Sequence, residues 1–376
     1  MLKPSEALDE IHQQYTMLRG RFTVEIAKII AELEKPSRNR AVIFSTASAM
    51  IDAAARDYQA FLTGVNAARL QEEAKAETHE ELLNKRREWG VTTSQTNLFR
   101  SEINRWHEVK SLVYSQAKPR RHKLYVDETR LPPSATAQLM ASDDVFSWLH
   151  KALNNTSQSD AAKEQGCFPD IGLPNSDFHA HMHAAYRLCL AQKRQAPVRF
   201  LDVGCGGGLK VYSALRYFDK GYGFDLDTAY VEAGQRFFEM DKAAEGNIFA
   251  HDALTFEGYG DFDIIYFYRP ISDEALLCQL ERRIAENARP ETILIAPYIT
   301  FPERHQELGC GHVAGAVYLA KTSQKKADAW RRKAERMGVF VRKTEPPGAQ
   351  SIWTPLIEAS RGNGHDFPHR HKKSRY

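Results

Sequence analysis

The sequence predicts an α/β protein in which a helical N-terminal region precedes a mostly parallel, twisted sheet. In the first 150 residues the apolar side chains recur every three to four positions, which is typical of amphipathic helices. From residue 197 onward, short apolar runs alternate with helical stripes. This alternation indicates β-α-β units, in which helices cover both faces of a parallel sheet. The length of 376 residues exceeds one small core and suits two domains.

Four segments follow from these patterns. Residues 1–125 are predicted to form a helical region, residues 126–195 a connecting or cap segment, and residues 196–345 the sheet-bearing core. Residues 346–376 form a C-terminal extension. Its polar end, rich in Gly, His and Lys, is expected to be disordered.

The N-terminal region is predicted to contain three long helices. Pro36 should end the first, and the second should run over residues 38–89 until Gly90 stops it. The third places Phe99, Ile103, Trp106, Val109 and Val113 on one side. Such a set indicates a helical hairpin or small bundle. A dimerisation arm, a substrate cap and a purely stabilising extension are all compatible with it. A further helix is expected near residues 145–153, with a loop over residues 154–166.

The sheet strands are predicted from short apolar runs. They are expected at residues 198–203, 221–226, 248–250, 262–268 and 291–299, with helices between them. A strand at residues 313–320, a helix at residues 323–337 and a strand at residues 339–342 would complete the sheet.

Composition narrows the classes of function. The net charge is only +3, so there is no global electrostatic case for binding nucleic acid or membranes. The five cysteines are scattered and odd in number, which favours a reducing compartment over a disulfide scaffold. No stretch approaches the roughly 20 apolar residues of a membrane helix, and no signal core is present at the N-terminus. A soluble, cytoplasmic protein is therefore expected.

The most informative stretch is Phe-Leu-Asp-Val-Gly-Cys-Gly-Gly-Gly at residues 200–208. It follows a predicted strand and opens a predicted helix, and its glycines allow the backbone to turn sharply and approach a ligand. Asp202 places a carboxylate at the strand end. A dinucleotide site gains nothing from this charge, because it holds a pyrophosphate at the helix N-terminus. The third glycine of the dinucleotide motif would also fall at Leu209. A ligand with an ammonium group fits better.

This stretch closely resembles the first motif of the class I, Rossmann-like, S-adenosylmethionine-dependent methyltransferases, an acidic residue followed by a Gly-x-Gly loop. The resemblance covers about residues 196–344 and leaves the N-terminal region unassigned. It implies that Asp202 holds the amino group of the cofactor, often through water. It also implies that the loop lies along the methionine part. The residues concerned are Asp202, Val203, Gly204, Cys205 and Gly206.

Further acids occur where the resemblance requires them. Asp225 ends the second predicted strand at a separation of 225 − 202 = 23 residues, close to the roughly 20 expected of an acid that binds ribose hydroxyls. By resemblance, Leu226 would pack on the adenine and Asp252 would accept from the adenine amino group. Ala253 and Tyr266 complete the predicted cofactor-binding set. A single Asp can be a strand-end or capping residue, but three in this order make coincidence a poor explanation.

The acceptor side carries a weaker signal. In-line methyl transfer mainly requires alignment and sometimes removal of a proton, so no strong catalytic motif is needed. Tyr268 and Arg269 follow the fourth strand and are predicted to orient an acidic or polar substrate, although a strand end with a surface arginine fits as well. The Asn-Pro-Pro-Tyr motif of amino-methylating nucleic-acid enzymes is absent, as is the paired-glutamate loop of arginine methyltransferases.

No metal site is predicted. His179 and His183 would share a helix face, but no third ligand accompanies them at a recognisable spacing. Their segment, residues 177–183, either covers the methionine end of the cofactor or is an amphipathic helix with exposed histidines. His305 and His312 could border the substrate pocket. His365, His369 and His371 reflect the composition of the tail.

The leading hypothesis is an S-adenosyl-L-methionine-dependent methyltransferase acting on an unidentified protein, small molecule or RNA. One alternative is a catalytically weak, methyltransferase-like scaffold that acts as an interaction protein through its helical N-terminal arm. A nucleotide-dependent oxidoreductase is disfavoured by Asp202 and Leu209. A homodimer through the N-terminal helices is compatible with the sequence, and no membrane partner is expected.

Overall fold

The computed structural model describes residues 6–36, 38–118, 120–126, 131–153, 157–171, 173–241, 245–340 and 350–367. The chain divides into two compact units. Residues 1–120 and 344–376 form the first, which we call the helical unit, and residues 121–343 form the second, which we call the sheet unit.

The helical unit contains five helices among its described residues. They are α1 (Glu6–Leu33), α2 (Ala41–Ala74), α3 (His79–Asn104), α4 (Trp106–Ser115) and α13 (Thr354–Gly362). Their apolar faces meet in one core, in which the ring of Trp353 stacks on Trp106 with centroids 5.0 Å apart. The indole N–H of Trp353 donates to the carbonyl of Glu102 at 2.7 Å. The C-terminal extension therefore includes a helix, with Leu356 and Ser360 buried, that was not predicted from the sequence. Residues 368–376 of the tail lie outside the described residues.

The second helix ends earlier than expected. It stops at Ala74, and α3 begins after Thr78, whose side chain accepts a hydrogen bond from the backbone of Glu81 at 3.2 Å. The side chain of Glu81 accepts from the Thr78 backbone in return, which completes a capping box. Gly90 lies inside α3, so the prediction that it stops a helix is wrong. A single glycine costs a helix only about 1 kcal/mol, and the capping box decides the boundary instead.

Among its described residues, the sheet unit has seven strands in the order β3-β2-β1-β4-β5-β7-β6. The strands are β1 (Arg199–Val203), β2 (Lys220–Asp225), β3 (Gly246–Ala250), β4 (Ile264–Phe267), β5 (Ile293–Ile295), β6 (Gly311–Ala314) and β7 (Val317–Leu319). The first five pair in parallel, and β7 is antiparallel to both of its neighbours. The predicted α/β class with a mostly parallel sheet is confirmed. The inserted β7 distinguishes this order from the dinucleotide-binding order 3-2-1-4-5-6.

The helices of the sheet unit cover both faces of the sheet. They are α5 (Pro133–Leu153), α6 (Asp160–Glu164), α7 (Asn175–Gln192), α8 (Leu209–Ala214), α9 (Thr228–Met240), α10 (Glu274–Asn287), α11 (Phe301–Arg304) and α12 (Gln324–Ala334). The two faces carry separate apolar clusters, one around Phe178 and Phe200 and one around Phe224 and Phe267. None of the helices in the described ranges combines the length and apolar character that crossing a membrane would require.

Two local predictions for this unit are wrong, and a third is wrong over the residues that are described. The single strand expected at residues 313–320 is a hairpin of β6 and β7, because Gly315 at φ +51° permits a tight turn. The loop expected at residues 154–166 contains α6, which the side chain of Ser159 caps. Residues 339 and 340 form no strand, and residues 341 and 342 of that predicted strand lie outside the described residues.

Candidate functional site

A cavity of about 600 Å³ opens at the carboxyl ends of β1, β2 and β4. Ligands of open α/β sheets bind at this edge, in pockets of roughly 300–1,000 Å³. Its walls are the glycine-rich loop after β1, the ends of neighbouring strands, and residues 165–171, which we call the strap. All predicted site residues except one line it: Asp202, Gly204, Cys205, Gly206, Asp225, Leu226, Asp252, Ala253, Tyr266, Tyr268 and Arg269.

Val203 is the exception. Its side chain is buried in the apolar cluster on one face of the sheet and does not line the cavity. Successive side chains of a strand point to opposite faces, so Asp202 and Val203 cannot both present theirs to one ligand. The expectation that the side chain of Val203 belongs to the site is therefore corrected.

The glycine-rich loop depends on positions that only glycine tolerates. Gly204 and Gly206 have φ values of +77° and +52°, in the left-handed region. A Cβ on Gly204 would lie 2.6 Å from the Cβ of Pro270, and one on Gly206 would lie 2.5 Å from the carboxylate oxygens of Asp170. The loop backbone therefore forms a tight wall with no room for a side chain.

Asp202 is a buried carboxylate that accepts no hydrogen bond from the described residues. Only 3% of the residue is exposed, and no described residue donates a hydrogen bond to its side chain. Burial raises its pKa well above the ordinary value, and repulsion from Asp170 adds to the effect, while Lys210 opposes it. A carboxylate that is buried and accepts no hydrogen bond from the described residues is stabilised most by a cationic donor in the cavity.

Asp225 stands at the end of β2 and supports the loop directly. Its Oδ2 accepts from the Gly206 N–H at 2.8 Å, and its Oδ1 accepts from the Asp227 N–H at 2.9 Å. Burial raises the pKa of Asp225, although these two bonds work in the opposite direction. Because each carboxylate oxygen has two acceptor sites, Asp225 can still accept from two hydroxyl groups of a ligand.

Asp252 lies beyond β3 at the same edge. Its Oδ1 accepts from the Leu254 N–H at 2.8 Å, so it does cap a turn. Its other oxygen accepts no hydrogen bond from the part of the chain that the structure describes. Leu226 and Ala253 are half-buried on the same wall. The three predicted acids thus converge on one cavity.

The strap is the largest contribution that sequence reasoning missed. Oδ2 of Asp170 accepts from the Gly207 N–H at 3.0 Å, and its Oδ1 lies 3.2 Å from Nε2 of His150 in α5. An antiparallel bridge between Cys167 and Ile271 joins the strap to the segment that follows β4. The apolar residues of the strap show no helical or strand periodicity, so the sequence gives no signal for it. The segment predicted to cover the cofactor, residues 177–183, is a different one.

Lys210 is a second missed residue. It follows the glycine-rich loop in α8, and its Nζ donates to the carbonyl of Leu173 at 2.9 Å while lying 4.1 Å from the ring centroid of Phe146. Burial lowers its pKa to about 8, and nearby acids, Asp202 first among them, oppose this shift. It is the basic group that faces the acidic end of the cavity.

Tyr268 and Arg269 line the part of the cavity that opens to solvent. Tyr268 is exposed, and Arg269 has a φ of +42°, which is unusual for a residue other than glycine. Such backbone conformations cluster at functional sites. The guanidinium of Arg269 lies over the ring of Phe168 in the strap, with 5.8 Å between its carbon and the ring centroid.

The predicted histidine segment forms the first half of α7 and lines no part of the cavity. His179 pairs with the hydroxyl of Tyr217 at 2.8 Å and His181 with that of Tyr125 at 2.9 Å. Burial lowers the pKa of His183 to about 4, so these side chains are not the exposed histidines of the alternative interpretation. The described residues contain no group of three or more potential metal ligands. His305 and His312 also lie away from the cavity.

No protein-family model and no curated protein matches the chain. Among solved structures, it is similar to the amino pentose methyltransferase CalS10 from Micromonospora echinaspora with S-adenosylmethionine bound, at 21% identity over 34% of this chain and 52% of that one, TM-score 0.28. It is also similar to the sugar N-methyltransferase KedS8 from Streptoalloteichus sp ATCC 53650, at 20% identity over 38% and 55%, TM-score 0.28. An RNA methyltransferase from Salinibacter ruber in complex with S-adenosyl-L-homocysteine matches at 16% identity over 34% and 76%, TM-score 0.27.

The chain spans about half the length of the first two of these proteins. With TM-scores below 0.3, these likenesses are too slight to assign an activity, which has to come from the site itself.

Proposed function

We propose that the sheet unit binds S-adenosyl-L-methionine and that the chain is a methyltransferase dependent on it. The observation that carries this proposal is Asp202, a buried carboxylate at the cavity that accepts no hydrogen bond from the described residues. The ammonium group of the cofactor supplies the charge-assisted donors that this carboxylate lacks.

The remaining walls fit the rest of the cofactor. Gly204, Cys205 and Gly206 line the cavity, so an extended chain such as the methionine part can lie against the loop there. Asp225 retains acceptor sites for two ribose hydroxyls, and Asp252 has one oxygen available for the adenine amino group. Leu226 and Ala253 supply apolar surface beside these acids.

A dinucleotide fits poorly at the same place. Its pyrophosphate would approach the N–H of Gly207, where the carboxylate of Asp170 already accepts a hydrogen bond. Asp202 and Asp225 add further negative charge within the same cavity. Like charges held this close in a partly buried site disfavour an anionic ligand strongly.

When bound, S-adenosyl-L-methionine supplies a methyl carbon that bonds to a lone pair of the acceptor, while the electron pair of the broken C–S bond stays on sulfur and the acceptor proton leaves to water. The chain contributes alignment and the exclusion of water. Tyr268 and Arg269 are placed to orient the acceptor at the open end of the cavity.

Calorimetric titration tests the proposal. Wild-type protein should bind S-adenosyl-L-methionine and S-adenosyl-L-homocysteine and should not bind NAD. Asp202→Asn keeps the shape and removes the charge, so the affinity for both adenosyl ligands should fall by about 10- to 150-fold, because a hydrogen bond to a charged group contributes roughly 1.5–3 kcal/mol. Asp261→Asn changes an exposed aspartate away from the cavity and is the matched control. Equal binding by wild type and Asp202→Asn would refute the assignment of the site.

A further inference from the structure

The open end of the cavity presents apolar side chains to solvent. Phe168 of the strap is 40% exposed, Tyr268 also 40%, and Ile299, beyond β5, is 86% exposed. Leu276 of α10 lines the same end. Covering large apolar groups around a cavity mouth with a ligand removes their surface from water, which favours binding. The surface therefore suits an acceptor with an apolar or aromatic body.

One cation projects into this apolar surface. The guanidinium of Arg269 lies over Phe168, and its Nε–H is buried without an acceptor among the residues described. A buried donor of this kind destabilises the folded chain until a partner satisfies it. Arg269 has a positive φ, which residues other than glycine rarely adopt. The surrounding structure must therefore hold its backbone in this conformation.

The acid nearest to Arg269 is engaged elsewhere. Glu274 Oε2 lies 3.6 Å from Nη2 of Arg269, which is longer than a hydrogen bond. Oε1 of Glu274 accepts from Arg304 at 2.7 Å, and Arg304 also holds both carboxylate oxygens of Glu281 at 2.6 Å. Arg304 therefore neutralises much of the charge of Glu274, and Arg269 keeps the capacity to bind an anion.

The cavity lining carries groups of both charges, and these suit different ligands. Asp202, Asp225 and Asp252 suit a cation and hydroxyl groups, whereas Arg269 suits an anion. A sulfonium or ammonium group would be repelled by Arg269. Its partner is therefore expected to belong to the second substrate.

Resting on the proposed function, we propose that the methyl acceptor is a small aromatic acid. Its carboxylate pairs with Arg269, and its ring packs against Phe168 and Ile299. The methylated atom is a hydroxyl or amino group elsewhere on the ring. Its lone pair forms the bond to the methyl carbon, the C–S electron pair remains on sulfur, and the O–H or N–H proton is released to water. A guanidinium fork matches a carboxylate with two parallel hydrogen bonds, which gives both affinity and orientation.

The test compares charged and neutral probes of the same shape. Wild-type protein saturated with S-adenosyl-L-homocysteine is titrated by calorimetry with 3- and 4-hydroxybenzoate and with 3- and 4-hydroxybenzamide. We expect at least one hydroxybenzoate to bind ten or more times more tightly than its benzamide. In Arg269→Gln this preference should fall to twofold or less, and Arg269→Lys should keep part of it. Arg282→Gln, an exposed arginine of α10 that does not line the cavity, should retain the wild-type preference.

The outcomes separate the two proposals. If S-adenosyl-L-homocysteine does not bind wild-type protein, the proposed function fails. If it binds wild type and Arg269→Gln equally, but every hydroxybenzoate fails to bind or binds no better than its benzamide, the aromatic-acid acceptor is overturned. A carboxylate preference that survives in Arg269→Gln would equally overturn the role of Arg269. Unchanged affinity of Arg269→Gln for S-adenosyl-L-homocysteine shows that the variant is folded.

Discussion

Four carboxylates, those of Asp170, Asp202, Asp225 and Asp252, line one cavity. Burial raises the pKa values of Asp202 and Asp225, and the charge of Asp170 contributes to both shifts. Hydrogen bonds from the loop backbone stabilise Asp225 and Asp170, but no described donor stabilises Asp202. At the scale of single residues, Asp202 is therefore the acid of this site that a cationic ligand would stabilise most.

Gly206 is expected to be needed for binding of S-adenosyl-L-homocysteine. The reason is the lack of space for a Cβ as well as the left-handed backbone conformation. In Gly206→Ala the new Cβ would collide with the carboxylate of Asp170, and the left-handed φ adds strain of about 1–2 kcal/mol. We expect both a lower free energy of unfolding and at least tenfold weaker binding of S-adenosyl-L-homocysteine, measured by denaturation and calorimetry.

Gly309→Ala separates strain from collision. Gly309 also has a left-handed φ, +66°, but a Cβ there would meet no atom within 4 Å. This control should lose stability by about 1–2 kcal/mol and bind the ligand normally. Equal ligand affinity in the two variants would contradict the role of the loop.

Lys210 is expected to make stability depend on pH. Its pKa is about 8 in the folded chain, lowered by burial from the ordinary 10.5. Between these values the unfolded chain binds a proton that the folded chain does not, so the contribution of Lys210 to the free energy of unfolding rises with pH from about 8 to 10.5. Urea denaturation across this range should therefore show a steeper rise for wild type than for Lys210→Met. Parallel pH profiles would show that the lysine is not desolvated.

At the scale of elements, the strap connects the loop, α5 and the end of β4. Asp170 links it to Gly207 and His150, and the Ser272 N–H donates to the carbonyl of Gly166 at 2.9 Å. These contacts hold a short irregular segment across the cavity without regular secondary structure. The strap therefore forms one wall of the cavity.

Removing the carboxylate of Asp170 should loosen the strap. In Asp170→Ala the Gly207 N–H and His150 lose an acceptor, so amide hydrogen exchange in residues 165–171 should increase at least severalfold. The dissociation rate of S-adenosyl-L-homocysteine should increase with it. Asp160→Ala removes an exposed aspartate whose ion pair is with Lys163, and it should leave exchange in the strap unchanged. Unchanged protection in Asp170→Ala would mean that other contacts hold the strap.

At the scale of the whole molecule, the chain builds two cores from discontinuous segments. The helical unit takes residues from both ends of the chain, and the sheet unit lies between them in the sequence. Trp353 is the clearest case, since its ring is fully buried among residues from the first 120 positions. The C-terminal helix is thus part of the helical core.

Truncating Trp353 should destabilise the helical unit selectively. Loss of a buried tryptophan ring costs about 3–5 kcal/mol, so Trp353→Ala should reduce hydrogen-exchange protection in α1 and α4. Trp148→Ala is the matched control, because Trp148 is 71% exposed on α5. Undiminished protection in α1 and α4 of Trp353→Ala would contradict the assignment of the C-terminal helix to this core.

Much of the sheet and its acids could be predicted from the sequence, because the relevant signals are local. The sequence shows a glycine-rich loop after one strand and an acid at or just beyond the end of each of the next two. Once these strands are parallel, the positions of the loop and the acids in the sheet follow. The carboxyl ends of parallel strands meet at one edge, so Asp202, Asp225 and Asp252 had to converge. Strand alternation also explains why Val203 points away from that edge.

Only the tertiary structure decided which distant segments complete the site, the helical core and the sheet. Asp170 reaches the glycine-rich loop from 37 residues away, Trp353 reaches Glu102 across 251, and β7 enters the sheet between β5 and β6. Contacts of this kind depend on how packed surfaces match after folding, and they leave no periodic pattern in the sequence. The same holds for Arg269, whose buried, unsatisfied Nε–H is a property of its surroundings and not of its residue type.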